Sequence, residues 1–150
     1  MLKEGAKAPS FKAETDEGTK VSLKDFAGKT VILYFYPKDM TSGCTQEACD
    51  FQAALQKFKK KNAVVLGVSK DSIASHQKFK EKSKLSFTLL SDSTGELCES
   101  YGVWKEKSMY GRKYMGIERT TVVIGPDGKV KKVYSKVKVA GHVDSILESI

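Results

Sequence analysis

Two continuous apolar runs, and the helical pattern between them, form the framework of the predicted fold. The run Thr30–Phe35 is rich in β-branched and aromatic residues, which predicts a strand buried on both faces, and Ala63–Ser69 predicts a second such strand. Between them, apolar residues recur every three or four positions from Cys44 to about Lys60, which predicts a helix. A strand, a helix and a strand within about 40 residues predict a right-handed βαβ unit.

Shorter elements are predicted on both sides of this unit, giving one α/β domain over residues 1–150 with a central mixed β-sheet flanked by helices. Residues 8–11 and 20–23 flank a turn and predict an N-terminal β-hairpin, and residues 23–28 predict one helical turn. Downstream, the pattern predicts a helix over 73–82 capped by Asp71 or Ser72, a strand over 87–90 and a short helix over 95–101. Residues 104–115 have no clear period and predict an irregular loop. A hairpin of Thr120–Ile124 with 129–137, and a helix over 141–150, end the pattern.

Cys44 begins the predicted helix, just beyond the carboxyl end of the first buried strand. Pro37 ends that strand because it has no N–H for the ladder, and Thr41 is a loop or N-cap residue. The first turn of a helix has unpaired N–H groups and the positive end of the dipole, and both favour the reactive thiolate over the thiol. The Thr41 hydroxyl is expected to bond to the sulfur or to a molecule that the sulfur attacks. The alternative is a buried, unreactive cysteine.

Cys49 follows Cys44 by five residues. In an intact helix, Cα atoms at this spacing lie on the order of 8–9 Å apart and their side chains point in different directions. A disulfide needs a Cα–Cα distance of roughly 4.4–6.8 Å. A bond between the two cysteines would therefore require the first turns to unwind, which suits a switch better than a structural crosslink.

The motif Pro37-x-x-x-Thr41-x-x-Cys44 resembles the Pro-x-x-x-Thr-x-x-Cys signature of peroxiredoxins. The spacing Cys44-x-x-x-x-Cys49 is similar to that of the bacterioferritin comigratory protein branch, also called peroxiredoxin Q. The likeness extends over the whole chain, through residues 35–39, 67–69 and 116–121. One departure is Ser42, where many members of the branch have proline, and we expect it to change loop stiffness without loss of activity.

This resemblance implies a thioredoxin-like fold and a thiol-dependent peroxidase that reduces hydrogen peroxide and organic hydroperoxides. Cys44 would attack the O–O bond and become a sulfenic acid, and Cys49 would resolve it as an intramolecular disulfide. Thioredoxin or a similar dithiol protein would then reduce the disulfide by exchange. Neither a cofactor nor a metal would take part.

The same resemblance assigns supporting residues to the site. Arg119 falls in the motif similar to the family's active-site arginine, whereas Arg112, the other arginine of the chain, is expected to face solvent. Pro37 would shield the thiolate from water. Glu47 resembles the carboxylate that pairs with the arginine, although an acid near a helix N-terminus also stabilises the helix by itself. Cys98 matches no family cysteine and is predicted to be a core residue.

Composition adds expectations about partners and location. Lys and Arg total 26 against 18 Asp and Glu, and the resulting charge of +8 is diffuse, so we expect a solvated basic surface and no nucleic-acid binding. The longest apolar run is far too short to span a bilayer, and no apolar signal segment is visible. Three cysteines without a secretion signal favour a reducing cytoplasm. On resemblance alone, we expect a monomer.

Other function classes make different demands on the sequence. A Cys–His hydrolase is disfavoured because His76 and His142 are expected in polar or surface positions without an orienting motif. A metal site is weak because the cysteines offer no second ligand pair. A thioredoxin-like redox adaptor would keep the fold but have no use for Thr41 and Arg119. A nucleic-acid-binding module would bind DNA in a salt-sensitive way.

Overall fold

The computed structural model describes residues 2–150, and these contain nine strands and five α-helices. The strands are β1 (Lys12–Thr15), β2 (Lys20–Ser22), β3 (Thr30–Phe35), β4 (Ala63–Ser69), β5 (Thr88–Ser91), β6 (Trp104–Met109), β7 (Arg112–Ile117), β8 (Thr120–Ile124) and β9 (Val130–Tyr134). The helices are α1 (Ser42–Ala53), α2 (Leu55–Lys60), α3 (Ile73–Ser83), α4 (Glu96–Ser100) and α5 (His142–Ser149), and a 3₁₀ turn covers Leu23–Phe26. None of these helices is both long and apolar enough to cross a membrane.

Seven strands form one mixed sheet in the order β2-β1-β5-β4-β3-β8-β9. β3 pairs in parallel with β4 and antiparallel with β8, and all six of its residues are buried. Both faces of β3 are covered by the rest of the chain, which is why its sequence is a continuous apolar run. The predicted central mixed sheet with flanking helices is confirmed.

Alternate side chains of β3 enter two separate cores. Ile32 and Tyr34 pack on one face of the sheet with apolar residues of α1, α2, α3 and α5. Val31, Leu33 and Phe35 pack on the other face with α4 and the N-terminal segment. Packing in the first core fixes the N-terminus of α1 at the carboxyl end of β3, where sites commonly form in open α/β sheets.

Three local predictions are wrong. Residues 104–115 form the hairpin of β6 and β7, which turns at Tyr110 (φ 51) and Gly111 (φ 77). Most of its side chains are exposed, so no apolar alternation marks these strands in the sequence. The first strand of the N-terminal hairpin starts at Lys12 and not at residue 8. The helix predicted from residue 44 to about 60 is interrupted at Ala54, which separates α1 from α2.

The expectation that both histidines lie in polar or surface positions is also wrong. His76 is 0% exposed and His142 is 7% exposed. Each ring is hydrogen-bonded, His76 to Asp39 at 2.7 Å and His142 to the Thr121 hydroxyl at 2.7 Å. These partners replace water and allow the rings to be buried in segments that are polar in sequence. Among residues 2–150 neither ring bonds to a cysteine, so a Cys–His hydrolase stays disfavoured.

Candidate active site

The connection between β3 and α1 places Cys44 in the first turn of a helix. Thr41 is the N-cap residue, with an extended backbone at φ −81 and ψ 155, and Cys44 is the third residue of α1. Cys44 is only 2% exposed. The predicted position in the first helical turn is confirmed, so the unpaired N–H groups and the helix dipole both favour negative charge at this place.

Arg119 reaches Cys44 from the neighbouring strand. In the antiparallel pairing of β3 with β8, Phe35 lies opposite Thr120, so the start of β8 is beside the end of β3. Arg119 immediately precedes β8, and its Nη2 donates to the Cys44 sulfur at 3.2 Å. The same nitrogen packs close to the Gly43 backbone, since a Cβ on that glycine would be 3.4 Å from it. The guanidinium therefore lies where it would stabilise a thiolate.

Glu47 holds the other side of the Arg119 guanidinium. It lies three residues after Cys44 on α1, and this spacing puts both side chains on one helical face. Arg119 Nη1 donates to Glu47 Oε1 at 2.6 Å, with side chains 17% and 0% exposed respectively. Burial raises the pKa of Glu47 to about 7, although the positive charge of Arg119 opposes the rise. Burial alone would lower the pKa of Arg119, but Glu47 and Cys44 more than offset this, so the guanidinium stays charged.

Thr41 and Pro37 lie in the same connection, and neither makes a hydrogen bond to the sulfur among residues 2–150. The Thr41 hydroxyl donates to the Lys38 carbonyl at 3.0 Å, and within residues 2–150 it makes no hydrogen bond to Cys44. Thr41 and Pro37 are both exposed. The structure thus brings Cys44, Arg119 and Glu47 together, and leaves the roles of Thr41 and Pro37 as predictions.

Comparison with known proteins identifies the family of this chain. The AhpC/TSA family profile matches residues 5–133. The chain is 54% identical over 143 residues to a putative peroxiredoxin bcp of Coxiella burnetii, covering 95% of both chains. The chain belongs to the AhpC/TSA family and is a peroxiredoxin. It is also 49% identical over 146 residues to peroxiredoxin Bcp of Bacillus subtilis, covering 97% of this chain and 93% of that one.

Solved structures agree with this assignment and with the thioredoxin-like fold. The bacterioferritin comigratory protein of Xanthomonas campestris, solved as trapped intermediate and ligand complexes in a study of alkyl peroxide reduction, aligns with a TM-score of 0.92. It shares 42% identity, and the alignment covers 98% of this chain and 96% of that one. The predicted membership in the bacterioferritin comigratory protein branch of the peroxiredoxins is confirmed.

The other two cysteines of this peroxiredoxin have different surroundings. Cys49 is half-buried on α1, and all three cysteines are free. Because α1 is continuous from Ser42 to Ala53, the first turns would have to unwind before Cys44 and Cys49 could bond. Cys98 is 0% exposed, and burial, followed by the Asp92 carboxylate, raises the pKa of its thiol far above the ordinary range. It is a core residue, as predicted.

One group of candidate metal ligands lies beside the connection between β3 and α1, residues 36–41, which is called the Cys44 loop below. Among residues 2–150, Asp39, Asp71 and His76 form the only group of three or more His, Cys, Asp or Glu residues whose ligand atoms lie within 4.8 Å of one another. Both ring nitrogens of His76 are already hydrogen-bonded, to Asp39 at 2.7 Å and to the Leu90 carbonyl at 2.9 Å. The ring has no free lone pair for a metal, so this cluster is a hydrogen-bonded network.

Two further residues near the site, Tyr34 and Lys107, could not be assigned to it from the sequence. The Tyr34 ring stacks on Phe51 at 4.4 Å, and its buried hydroxyl has no partner among residues 2–150. Burial, and then the charge of Glu47, raise the pKa of Tyr34 well above its ordinary value. Lys107 on β6 is half-buried, and burial, followed by the charge of Arg119, lowers its pKa. Lys107 was missed because its segment was predicted to be a loop, and Tyr34 because the apolar run gave it a core role alone.

Proposed function

We propose that this peroxiredoxin reduces hydrogen peroxide and organic hydroperoxides through Cys44, with Cys49 as the resolving thiol. The observation that carries the proposal is the contact of Arg119 Nη2 with the Cys44 sulfur at 3.2 Å, beside the Arg119–Glu47 pair. A permanent cation fixed at a buried sulfur has an evident use if that sulfur reacts as a thiolate. Organic hydroperoxides are included because the similar Xanthomonas campestris protein was studied for alkyl peroxide reduction.

In the first step, the Cys44 thiolate attacks one oxygen of the peroxide. A new S–O bond forms, the O–O bond breaks, and the second oxygen leaves with the electron pair and takes up a proton as water or an alcohol. Arg119 would stabilise the negative charge that moves from sulfur to the leaving oxygen, together with the N–H groups of the first helical turn. Glu47 would orient the guanidinium, Thr41 would bond to the peroxide, and Pro37 would limit access of water.

In the second step, the Cys49 thiol attacks the sulfur of the Cys44 sulfenic acid. An S–S bond forms and the hydroxyl group leaves as water, after the start of α1 has unwound. Thioredoxin or a similar dithiol protein then reduces the disulfide by thiol–disulfide exchange and is itself oxidised. We place the enzyme in the cytoplasm, because such dithiol reductants maintain free thiols there. We also propose that it acts as a monomer of one domain.

Peroxide consumption coupled to a thioredoxin, its reductase and NADPH tests this proposal. Cys44→Ser is expected to abolish consumption, and Cys49→Ser to react with peroxide once and then fail to turn over with thioredoxin. Cys98→Ala is the matched control, because its thiol is buried in the core, and it is expected to turn over like the wild type. Full turnover by Cys44→Ser would refute the peroxidase, and full turnover by Cys49→Ser would refute its resolving role.

Two rival functions are separated by cheap measurements. A redox adaptor would keep thiol–disulfide exchange and lack peroxide reduction, so an Arg119→Ala variant that lost only peroxide reduction would favour the peroxidase. A nucleic-acid-binding module would retain DNA on a filter at low salt and release it at high salt. We expect no such retention.

A further inference from the structure

The Cys44 loop is held at Asp39 by an unusually complete set of hydrogen bonds. Asp39 lies five residues before Cys44 and is 5% exposed. Its Oδ1 accepts from the Tyr36 hydroxyl at 2.6 Å, and its Oδ2 is bonded to the Ser75 hydroxyl at 2.8 Å and to His76 Nδ1 at 2.7 Å. Its backbone N–H donates to Asp71 Oδ2 at 2.8 Å. Both the side chain and the main chain of this loop residue are therefore fixed to the α3 side of the protein.

The ring of His76 bears a positive charge in this arrangement. Its Nδ1 faces the Asp39 carboxylate, which accepts from the hydroxyls of Tyr36 and Ser75 and, with two donors already directed at it, is ionised. Its Nε2 faces the Leu90 carbonyl at 2.9 Å. Both partners can only accept, so both ring nitrogens must donate, and only the imidazolium form has two N–H groups. The pair is buried, with side chains of His76 and Asp39 that are 0% and 1% exposed.

The charges around the pair explain why it stays ionised. Burial alone would lower the pKa of His76, but its hydrogen bond to Asp39 and the charges of Asp39 and Asp71 raise it. Burial alone would raise the pKa of Asp39, but His76, Tyr36 and Ser75 lower it. The polar and titratable groups that face His76 are Tyr36 at the end of β3, Asp39 in the loop, Asp71 after β4 and the Leu90 carbonyl of β5.

The hydrogen bonds of Asp39, called the Asp39 anchor below, lie next to a residue with a strained backbone. Met40 has φ 63, in the left-handed region, which is unfavourable for most residues other than glycine and asparagine. Such a conformation persists only where the surroundings impose it. Asp39 is fixed on one side of Met40, and Thr41, the N-cap of α1, follows on the other. The position at which α1 begins, and hence the position of Cys44 relative to Arg119, depends on this turn.

We propose that the buried ion pair of His76 and Asp39 positions the Cys44 loop for the reaction with peroxide. The inference rests on the proposed peroxidase function, and it makes both side chains positioning residues, since neither is hydrogen-bonded to the sulfur among residues 2–150. The anchor lies upstream of α1, so the first helical turns can unwind for the disulfide while Asp39 stays in place. The pair is complete between the lowered pKa of Asp39 and the ordinary pKa of histidine, about 6.5, and is lost as the pH rises through the raised pKa of His76.

The test is the rate at which Cys44 reacts with hydrogen peroxide, followed by rapid mixing, alkylation and mass spectrometry across the pH range. His76→Leu removes both donors and is expected to slow this reaction about tenfold or more, because small misplacements of a reacting group are costly. His76→Asn keeps an N–H donor near the position of Nδ1, so it should recover much of the rate at neutral pH. Because asparagine does not titrate, the decline at alkaline pH expected of the wild type should disappear.

His142→Gln is the matched control for loss of a buried histidine. Burial lowers the pKa of His142 to about 4, so that ring is neutral over the tested range, and it bonds to Thr121 on a different element. This variant is expected to retain the alkaline decline. If His76→Leu does not fold, Ser75→Ala, which removes one hydrogen bond to Asp39, takes its place with a smaller expected loss of rate.

A wild type that reacts with peroxide, beside a His76→Leu variant with an unchanged rate and pH profile, would overturn the positioning role and leave the peroxidase intact. A wild type that does not react would refute the proposed function instead. Amide hydrogen exchange of residues 39–41 then tests, independently of activity, whether His76 holds this segment in place. Faster exchange at these residues in His76→Leu supports the anchor, and equal exchange in the two proteins overturns it whatever the activity.

Discussion

Replacing Glu47 with glutamine separates the charge of this buried residue from its hydrogen bonding. Glu47 is 0% exposed, and its Oε1 accepts from Arg119 Nη1 at 2.6 Å. Its Oε2 has no hydrogen-bond partner within residues 2–150. Glutamine has nearly the same shape and keeps an acceptor for Arg119, but it has no carboxylate to desolvate. The substitution therefore removes the titration of this site and little else.

The expected effect is a change in how stability depends on pH. Burial raises the pKa of Glu47 from 4.5 to about 7, so between these values the native state holds a proton that the unfolded state has released. The wild type therefore loses stability as the pH rises through this window. A pKa rise of this size corresponds to about 3 kcal/mol. Glu47→Gln lacks this loss, so its unfolding free energy should rise relative to the wild type by about 3 kcal/mol from acid to alkaline pH.

Urea unfolding from about pH 5 to about pH 8 measures the difference, with fluorescence of Trp104, the one tryptophan of the chain, as the signal. Glu81→Gln, an exposed position on α3, is the matched control and should run parallel to the wild type. If Glu47→Gln also ran parallel to the wild type, Glu47 would be ionised throughout. Its ion pair with Arg119 would then outweigh burial, and the raised pKa of Glu47 would be refuted.

Three other substitutions test separate parts of the structure. Arg119→Lys keeps a positive charge but cannot donate from two nitrogens to Cys44 and Glu47 at once. Rapid mixing with peroxide should therefore show a reaction rate of Cys44 lower by about 10²-fold. An equal rate would exclude a role for the guanidinium geometry. Ser42→Pro falls at the first helical position of α1, where proline is well tolerated, and should raise the unfolding free energy by about 0.4–1 kcal/mol without slowing the first reaction with peroxide; a loss of stability would show that the backbone there does not suit proline. Gly67→Ala would place a Cβ 2.9 Å from the Tyr34 ring and should lower the unfolding free energy by about 1–3 kcal/mol; a variant as stable as the wild type would mean that this core yields easily.

The central part of the fold could be predicted from the sequence because burial on both faces leaves a strong signal. Thr30–Phe35 and Ala63–Ser69 match β3 and β4 residue for residue. The hairpin of β6 and β7 could not be predicted in this way, since it is a separate two-stranded sheet with mostly exposed side chains. Strand pairing in the solvent imposes no apolar period, and this segment has none.

The candidate site was predictable to a different degree at each residue. The place of Cys44 follows from the end of an apolar strand and the start of a helical pattern. Its contact with Arg119 joins residues 75 positions apart, so only the family resemblance could suggest it. The positioning role proposed for His76 could not be foreseen, because its partner Asp39 is 37 positions away and a buried ion pair leaves no periodic pattern. Contacts between polar residues that are far apart in the chain cannot be predicted from the pattern of a single sequence.

The central claim is that Cys44 is oxidised by peroxide and resolved by Cys49. Peptide mass spectrometry after an equimolar addition of hydrogen peroxide, on the wild type beside Cys49→Ser, tests it most directly. We predict a Cys44–Cys49 disulfide in the wild type and a Cys44 sulfenic acid in the variant. A wild-type protein whose Cys44 stayed an unmodified thiol within seconds would contradict the account.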